Sequence, residues 1–535
     1  MAVPRGCTIN PSARAPMEYI STRGGVGAVD FEGALFSGYT PDGGLFMPQH
    51  YPSLDRDTLR RWSRLSYREL VKELCSLFIT AELIPRNTLN DLIDRAFSRF
   101  RHKDVVHLSR LKDGLNVLEL WHGVTYAFKD LSLSCTGQFL QYFLEKKQKH
   151  VTILVGTSGD TGSSAIESVR GQKNMDIFVL LPKGLCTQIQ ELQMTTVIED
   201  NVHVFAAHGN SDEIDEPIKE LFADVDFARK YNLMSLNSVN WSRIMVQIAH
   251  HFYAYFQCAP SLDTTPLPVV EIVVPTGGGG NITAGCIAQK MGLPVWLVAV
   301  VNSNDIIHRT VQHGDLSLSE SVKATLASAM DIQEPYNVER IFWLLSGSDS
   351  HLTKMLMEQF SVLKSLKLPE DLHRKHAPVL LSSSLCSQIS GRCAPSWAGS
   401  PATPRNHCLN GDGDQVHPPG AGTGLGTGAP GADQSHSTAV GGTGGSVSPP
   451  RTRRGHRAGG QPHLSYQGMA GQCLPGLIFH SQESPVLHWK RSLPSPCNVL
   501  LARTRFAIEL CRIFHNVSSE ELCNCILFFL HIRKN

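Results

Sequence analysis

Five short β-branched runs lie between residues 105 and 345: VTILV (151–155), IFVLL (177–181), VHVFA (202–206), VVEIVV (269–274) and VWLVAVV (295–301). Segments of helical apolar spacing separate them. This alternation constrains the fold more than any other feature of the chain. A strand that is apolar on both faces needs cover on both faces, and a helix between strands returns the chain to start the next one in parallel. The pattern therefore predicts an α/β fold with mainly parallel sheets. In such sheets ligands sit where loops leave the carboxyl ends of strands.

The flanks read differently. Residues 1–16 carry Arg5 and Arg14, but Pro4, Pro11 and Pro16 break the amphipathic helix that a transit peptide needs, so an unstructured extension is expected. Residues 17–105 open on Gly-rich turns. They continue into a helix marked by the capping box Ser66-x-x-Glu69 and by Leu70, Leu74, Leu77 and Phe78, with a second amphipathic helix near 88–100. A small α/β domain is expected there, followed by the alternating units over 106–375. Residues 376–535 change character. Fifteen glycines between 411 and 460 leave too little apolar surface to offset backbone entropy, so a low-complexity, largely disordered tail is expected.

Net charge is +1, which supplies no single-sign field for nucleic acid or an acidic membrane surface. The longest apolar run, CILFFL (525–530), is too short to span a bilayer. Cys7, Cys75, Cys135, Cys186, Cys258 and Cys286 are scattered singly, as reduced intracellular thiols are, and only Cys523 and Cys525 lie close together. No metal site, no nucleic-acid partner and no membrane partner are expected. A small-molecule substrate in the cytoplasm is.

Two loops and one lysine carry the chemistry. VTILV runs into GTSGDTGSSA, small residues followed by a helical pattern, where unshielded N–H groups at a helix start suit a carboxylate or phosphate. DTGSS (160–164) matches the aspartic-protease loop, but no second D-[ST]-G exists to supply the paired carboxylate. The second loop, PTGGGGN (275–281), leaves VVEIVV and enters a helix. Four glycines let the backbone wrap an oxyanion. It is neither a Walker A motif nor a dinucleotide fingerprint, which favours a single phosphate monoester. The lysine is Lys129 in HGVTYAFKD (122–130). A phosphate handle, a substrate carboxylate and an amine in an apolar setting together describe pyridoxal phosphate held as a Schiff base.

In YISTRGG, GYTPDGGLFMP, AFKDLSL, GTSGDTGSSA, LQMTT, NSVNWSRI and PTGGGGN, taken in that order, the chain resembles the threonine synthase family over residues 17 to about 345. The resemblance implies the type II pyridoxal-phosphate fold, with the cofactor between two α/β domains. It implies that Lys129 is the Schiff-base lysine, and that Gly277, Gly278, Gly279, Gly280 and Asn281 surround the cofactor phosphate. It places Asp160 near the cofactor's phenolic oxygen, and Thr157, Ser158, Gly159 and Thr161 toward the substrate carboxylate. Arg23, Lys183 and Arg243 lie in family-like motifs as candidates for the substrate phosphate. The implied substrates are O-phosphothreonine or O-phosphohomoserine, and animal relatives resemble phospho-lyases that yield 2-oxobutyrate, ammonia and phosphate.

The resemblance fades at about His376, so the fold is expected to be C-terminally incomplete, with a tail that reads as an alternative splice or read-through terminus. QSHSTAVGG (434–442) is superficially like the family segment that contacts the pyridine nitrogen, but it sits inside the Gly-rich tract. A second reading is a catalytically silent variant acting as a secreted or signalling protein. It draws on eight tail cysteines and the sequon Asn516-Val517-Ser518, without a signal peptide.

Overall fold

In a computed structural model, the structure describes residues 16–111, 116–325, 327–376, 380–384 and 531–534. Near the N-terminus β1 (Tyr19–Ser21) and β2 (Phe46–Pro48) form an antiparallel pair. Strands β3 (His107–Arg110) and β4 (Asn116–Glu119) follow. Next come β5 (Val151–Gly156), β6 (Met175–Pro182), β7 (Val202–Ala207) and β8 (Leu233–Ser235), then β9 (Val270–Pro275) and β10 (Val295–Val301). The last are β11 (Asp315–Ser317), β12 (Ser365–Lys367), β13 (Leu380–Ser384) and β14 (His531–Lys534).

The five runs read from the sequence become β5, β6, β7, β9 and β10, but they divide between two sheets. The order β7-β6-β5-β8 is wholly parallel, with Gly156 opposite Leu180 and Ile153 opposite Met234. The second sheet runs β13-β10-β9-β14-β4-β3, where β13, β10 and β9 are parallel and β14, β4 and β3 pair antiparallel. Two segments of the expected tail, 380–384 and 531–534, are thus strands of this sheet. The rest of it, with the sequon and QSHSTAVGG, lies outside the described residues.

Helices cover both sheets because their apolar residues recur on one face or all round. Helix Trp241–Cys258 is the extreme case, with fifteen of its residues buried. Helix Tyr67–Phe78 packs on it and starts with the expected capping box, Ser66 accepting from Glu69 N while Glu69 accepts from the Ser66 N–H. The second amphipathic helix spans Arg86–Ala96. One apolar core runs without interruption from Tyr19 to Leu372, so the first hundred residues share it with the two sheets.

Candidate active site

The two loops singled out in the sequence leave the carboxyl ends of β5 and β9 and face each other across one pocket. From β5 come Gly156, Thr157, Ser158 and Thr161. From β9 come Pro275, Thr276 and Gly277 through Asn281. Phe128 and Lys129 form a third side, and Ser211, Asp215, Ser238, Arg243 and Tyr336 are among the residues of the remaining wall.

Lys129 is the first residue of helix Lys129–Lys147. The preceding turn is held by its neighbour Asp130, whose carboxylate accepts from Thr125 N (2.8 Å) and Thr125 Oγ1 (2.7 Å). That hook turns HGVTYAF so that Lys129 Nζ reaches Asp160, donating to both carboxylate oxygens at 2.7 Å. The pair is mostly buried, at 12% and 8% side-chain exposure. Loss of water pushes the Lys129 amine down, Asp160 pulls it back up, and Arg243 pushes it down again; the net direction is downward.

The β5 loop is shaped by Thr157 Oγ1, which accepts from Gly159 N (3.0 Å) and Gly162 N (2.9 Å). Gly159 has φ +148°, and a Cβ there would lie 2.4 Å from Gln190 Oε1, so only glycine fits. Ser158 Oγ donates to the Ala329 carbonyl at 3.2 Å. In the β9 loop Gly279 adopts φ +77° and starts helix Gly280–Lys290. Among the described residues a Cβ on Gly278 would meet no atom closer than 3.6 Å, so that glycine borders open room. The loop is braced by Asn337, whose Nδ2 donates to the Gly278 carbonyl (3.1 Å) and to Ser238 Oγ (2.9 Å).

Arg243 is buried on helix Trp241–Cys258. One guanidinium nitrogen donates to the Leu236 carbonyl at 2.9 Å, while Nε has no hydrogen-bond partner among the described residues. Burial pushes its pKa down to about 10, against a pull upward from Asp160. Its free donor edge, in a pocket with Lys129 and two glycine loops, is suited to an anion.

Of the residues read from the sequence, Thr157, Ser158, Thr161, Lys129, Arg243 and Gly277 through Asn281 meet at this pocket. Asp160 joins through Lys129, its ion-pair partner, and Gly159 does not line the pocket. Arg23 and Lys183 do not line it. The Arg23 guanidinium is occupied by Glu339, to whose two oxygens it donates at 3.0 and 2.9 Å. Lys183 is exposed just past the end of β6. Sequence reasoning passed over Asp215, which accepts from the Tyr336 hydroxyl, because it is one of several acids on the helix Ser211–Ala223 and looks like any solvated one. It also passed over His250 and His251, whose one visible signal was an adjacent polar pair inside the apolar run of QIAHHFYAYF.

Residues 18–97 match the family model for the threonine synthase N terminus, and residues 103–351 match that for pyridoxal-phosphate-dependent enzymes. Threonine synthase-like 2 of Pongo abelii is 72% identical over 381 residues, covering 70% of this chain and 79% of that protein. The chain belongs to the threonine synthase family. The human threonine synthase-like 2 is 71% identical over the same shares of each chain, and threonine synthase of Saccharomyces cerevisiae is 40% identical, covering 63% and 69%. Among solved structures, pyridoxal-phosphate-bound threonine synthase from Brucella melitensis superposes with TM-score 0.63 at 34% identity, covering 69% and 78% of the two chains. Yeast threonine synthase gives 0.63 at 35%, covering 70% and 77%. The fold is thus the type II pyridoxal-phosphate fold of this family, and the cofactor is pyridoxal 5′-phosphate.

The residues present fit that cofactor. A buried amine with a depressed pKa, a glycine loop open at Gly278, a helix start behind it and an unpartnered guanidinium edge form a donor set for one aldehyde and for phosphate or carboxylate anions. No helix among the described residues is long and apolar enough to cross a membrane.

Proposed function

We propose that this chain is a phospho-lyase that eliminates phosphate from O-phosphothreonine or O-phosphohomoserine, giving 2-oxobutyrate, ammonia and phosphate in the cytoplasm. The observation that carries it is the convergence of the buried Lys129–Asp160 pair with two glycine-containing loops and the unpartnered Arg243 edge on one pocket. When bound, pyridoxal phosphate supplies an aldehyde for the amines of lysine and substrate and an electron sink for the α carbon.

In this reading Lys129 is the amine that holds the cofactor aldehyde and later moves the substrate's α-proton. Asp160 steers Lys129 Nζ and stabilises its charged form. Gly277 through Asn281 hold the cofactor phosphate against the start of helix Gly280–Lys290. The backbone of Thr157, Ser158 and Gly159, with Thr161, receives the substrate carboxylate. Arg243 faces the substrate phosphate and stabilises it as it departs. Phosphate leaves with the electrons of its C–O bond, and one water completes hydrolysis of the released enamine to 2-oxobutyrate and ammonia.

The test incubates the full chain and pyridoxal phosphate with each phosphorylated amino acid, assaying phosphate, 2-oxobutyrate and threonine together. Equal phosphate and 2-oxobutyrate are expected, and Lys129→Ala should lower the rate by about a thousandfold or more while abolishing the visible absorbance of lysine-bound cofactor. Threonine in place of 2-oxobutyrate would make the enzyme a synthase. Release of no phosphate by the wild-type chain would sink the reading.

A further inference from the structure

Helix Trp241–Cys258 passes behind the start of helix Gly280–Lys290, and His250 and His251 are fully buried between them. Both Nε2 atoms meet Asn281 Oδ1, at 2.6 and 3.0 Å, and His251 Nε2 also lies 3.0 Å from the Asn281 main-chain carbonyl. A main-chain carbonyl only accepts, so His251 Nε2 carries its proton. The side-chain atom facing that N–H is then an acceptor too. This fixes the amide oxygen toward the histidines and turns the amide nitrogen away from them, an orientation set by the chemistry of the partners. Asn281 forms part of the pocket wall.

His250 donates to the same oxygen, and neither ring's Nδ1 has a hydrogen-bond partner among the described residues. A second proton on either ring would be buried with no acceptor, so both stay neutral. Burial pushes His250 down to about 3 and His251 down to about 4. Gly285 makes the space, since a Cβ there would lie 2.9 Å from His251 Cε1.

We propose that His250 and His251 are positioning residues for the cofactor phosphate: they lock the Asn281 amide with its N–H groups toward the pocket, where these donate to phosphate oxygens. The proposal rests on Gly277 through Asn281 being the phosphate cradle. Two donors aimed at one oxygen remove the freedom of the amide to flip and present the phosphate with an acceptor.

The test titrates the full chain with pyridoxal phosphate and, separately, with pyridoxal, which lacks the phosphate. The ratio of the two dissociation constants isolates the phosphate contacts. Asn281→Ala and His251→Leu should each weaken pyridoxal phosphate by about tenfold, the worth of one charge-assisted hydrogen bond, and pyridoxal by less than about twofold. His251→Gln, which keeps an N–H near the Nε2 position, should hold the ratio near wild type. Gly285→Ala presses on His251 and Leu297 without changing either ring, and should lower the ratio even if His251→Leu does not fold. If Asn281→Ala lowers the ratio while His251→Leu and Gly285→Ala leave it unchanged, the histidines do not orient the amide and the proposal is overturned, with the cradle intact. If Asn281→Ala leaves the ratio unchanged, the cradle reading and the proposal fall together. Equal weakening of both ligands means a structural role only, and also overturns it.

Discussion

Buried polar groups decide what single residues can do in this pocket. Asp215 has one oxygen bonded by the Tyr336 hydroxyl and the other, Oδ1, buried without a hydrogen-bond partner among the described residues. Burial pushes its carboxyl up to about 7, with Tyr336 and Lys219 pulling it down and Asp212 and Glu334 pushing it up. The residue that permits this arrangement is Gly156, the last residue of β5. A Cβ there would lie 1.8 Å from Asp215 Oδ1 and 3.3 Å from Ile218 Cδ1. Gly156→Ala therefore has to displace a side chain already pinned by Tyr336, and overpacking of this kind costs about 1–3 kcal/mol or more. The expected outcome is a clear fall in thermal midpoint. Adding Asp215→Ala should recover most of that loss, because it removes the atom in the way. Additive losses in the double variant would show that the clash lies elsewhere.

At the scale of elements, local signals were legible and pairings were not. The capping box at Ser66 was readable because its chemistry lies within four residues. Ser66→Ala should cost about 1 kcal/mol of stability, read as a lower urea midpoint at unchanged slope. An unchanged midpoint would mean that the tertiary contacts of helix Tyr67–Phe78 alone hold its first turn. The strands β5, β6, β7, β9 and β10 were equally readable, since short β-branched runs favour strands even where, as in β7, no residue is fully buried. Which sheet each joins was not, because periodicity carries no information about a strand's neighbour. The same limit explains the site. Lys129 and the two glycine loops announced themselves by local composition. The capture of Arg23 by Glu339 spans 316 positions of sequence and leaves no local trace. Asp130 looked like part of a motif, whereas its role is to bend the turn that delivers Lys129.

Across the whole molecule, long-range clamps join the first fifty residues to the pocket. Arg340 is fully buried and donates to the carbonyls of Phe46, Ser238 and Val239, and to Asn337 Oδ1, so it ties β2 to the brace of the β9 loop. The buried acids and bases around this frame oppose each other in their effect on stability. His250 and His251 are depressed from 6.5 to about 3 and about 4, so the unfolded chain binds their protons more readily. Their contribution is fully present above pH 6.5 and is lost as pH falls toward the folded values. Asp212 and Asp215 are raised from 3.8 to about 6 and about 7, so the folded chain binds their protons more readily. Their contribution is fully present below pH 3.8 and is lost as pH rises through 6 and 7. Between pH 4.5 and 6 two protons favour each state and the slopes cancel, each proton contributing about 1.4 kcal/mol per pH unit at most. Across that window these four groups should therefore add little net slope to wild-type stability. Asp215→Asn should make it rise with pH, and His250→Gln with His251→Gln should make it fall. Urea midpoints measured at several pH values across the window test this, and parallel curves for all three proteins would show that these buried groups are not what sets the balance.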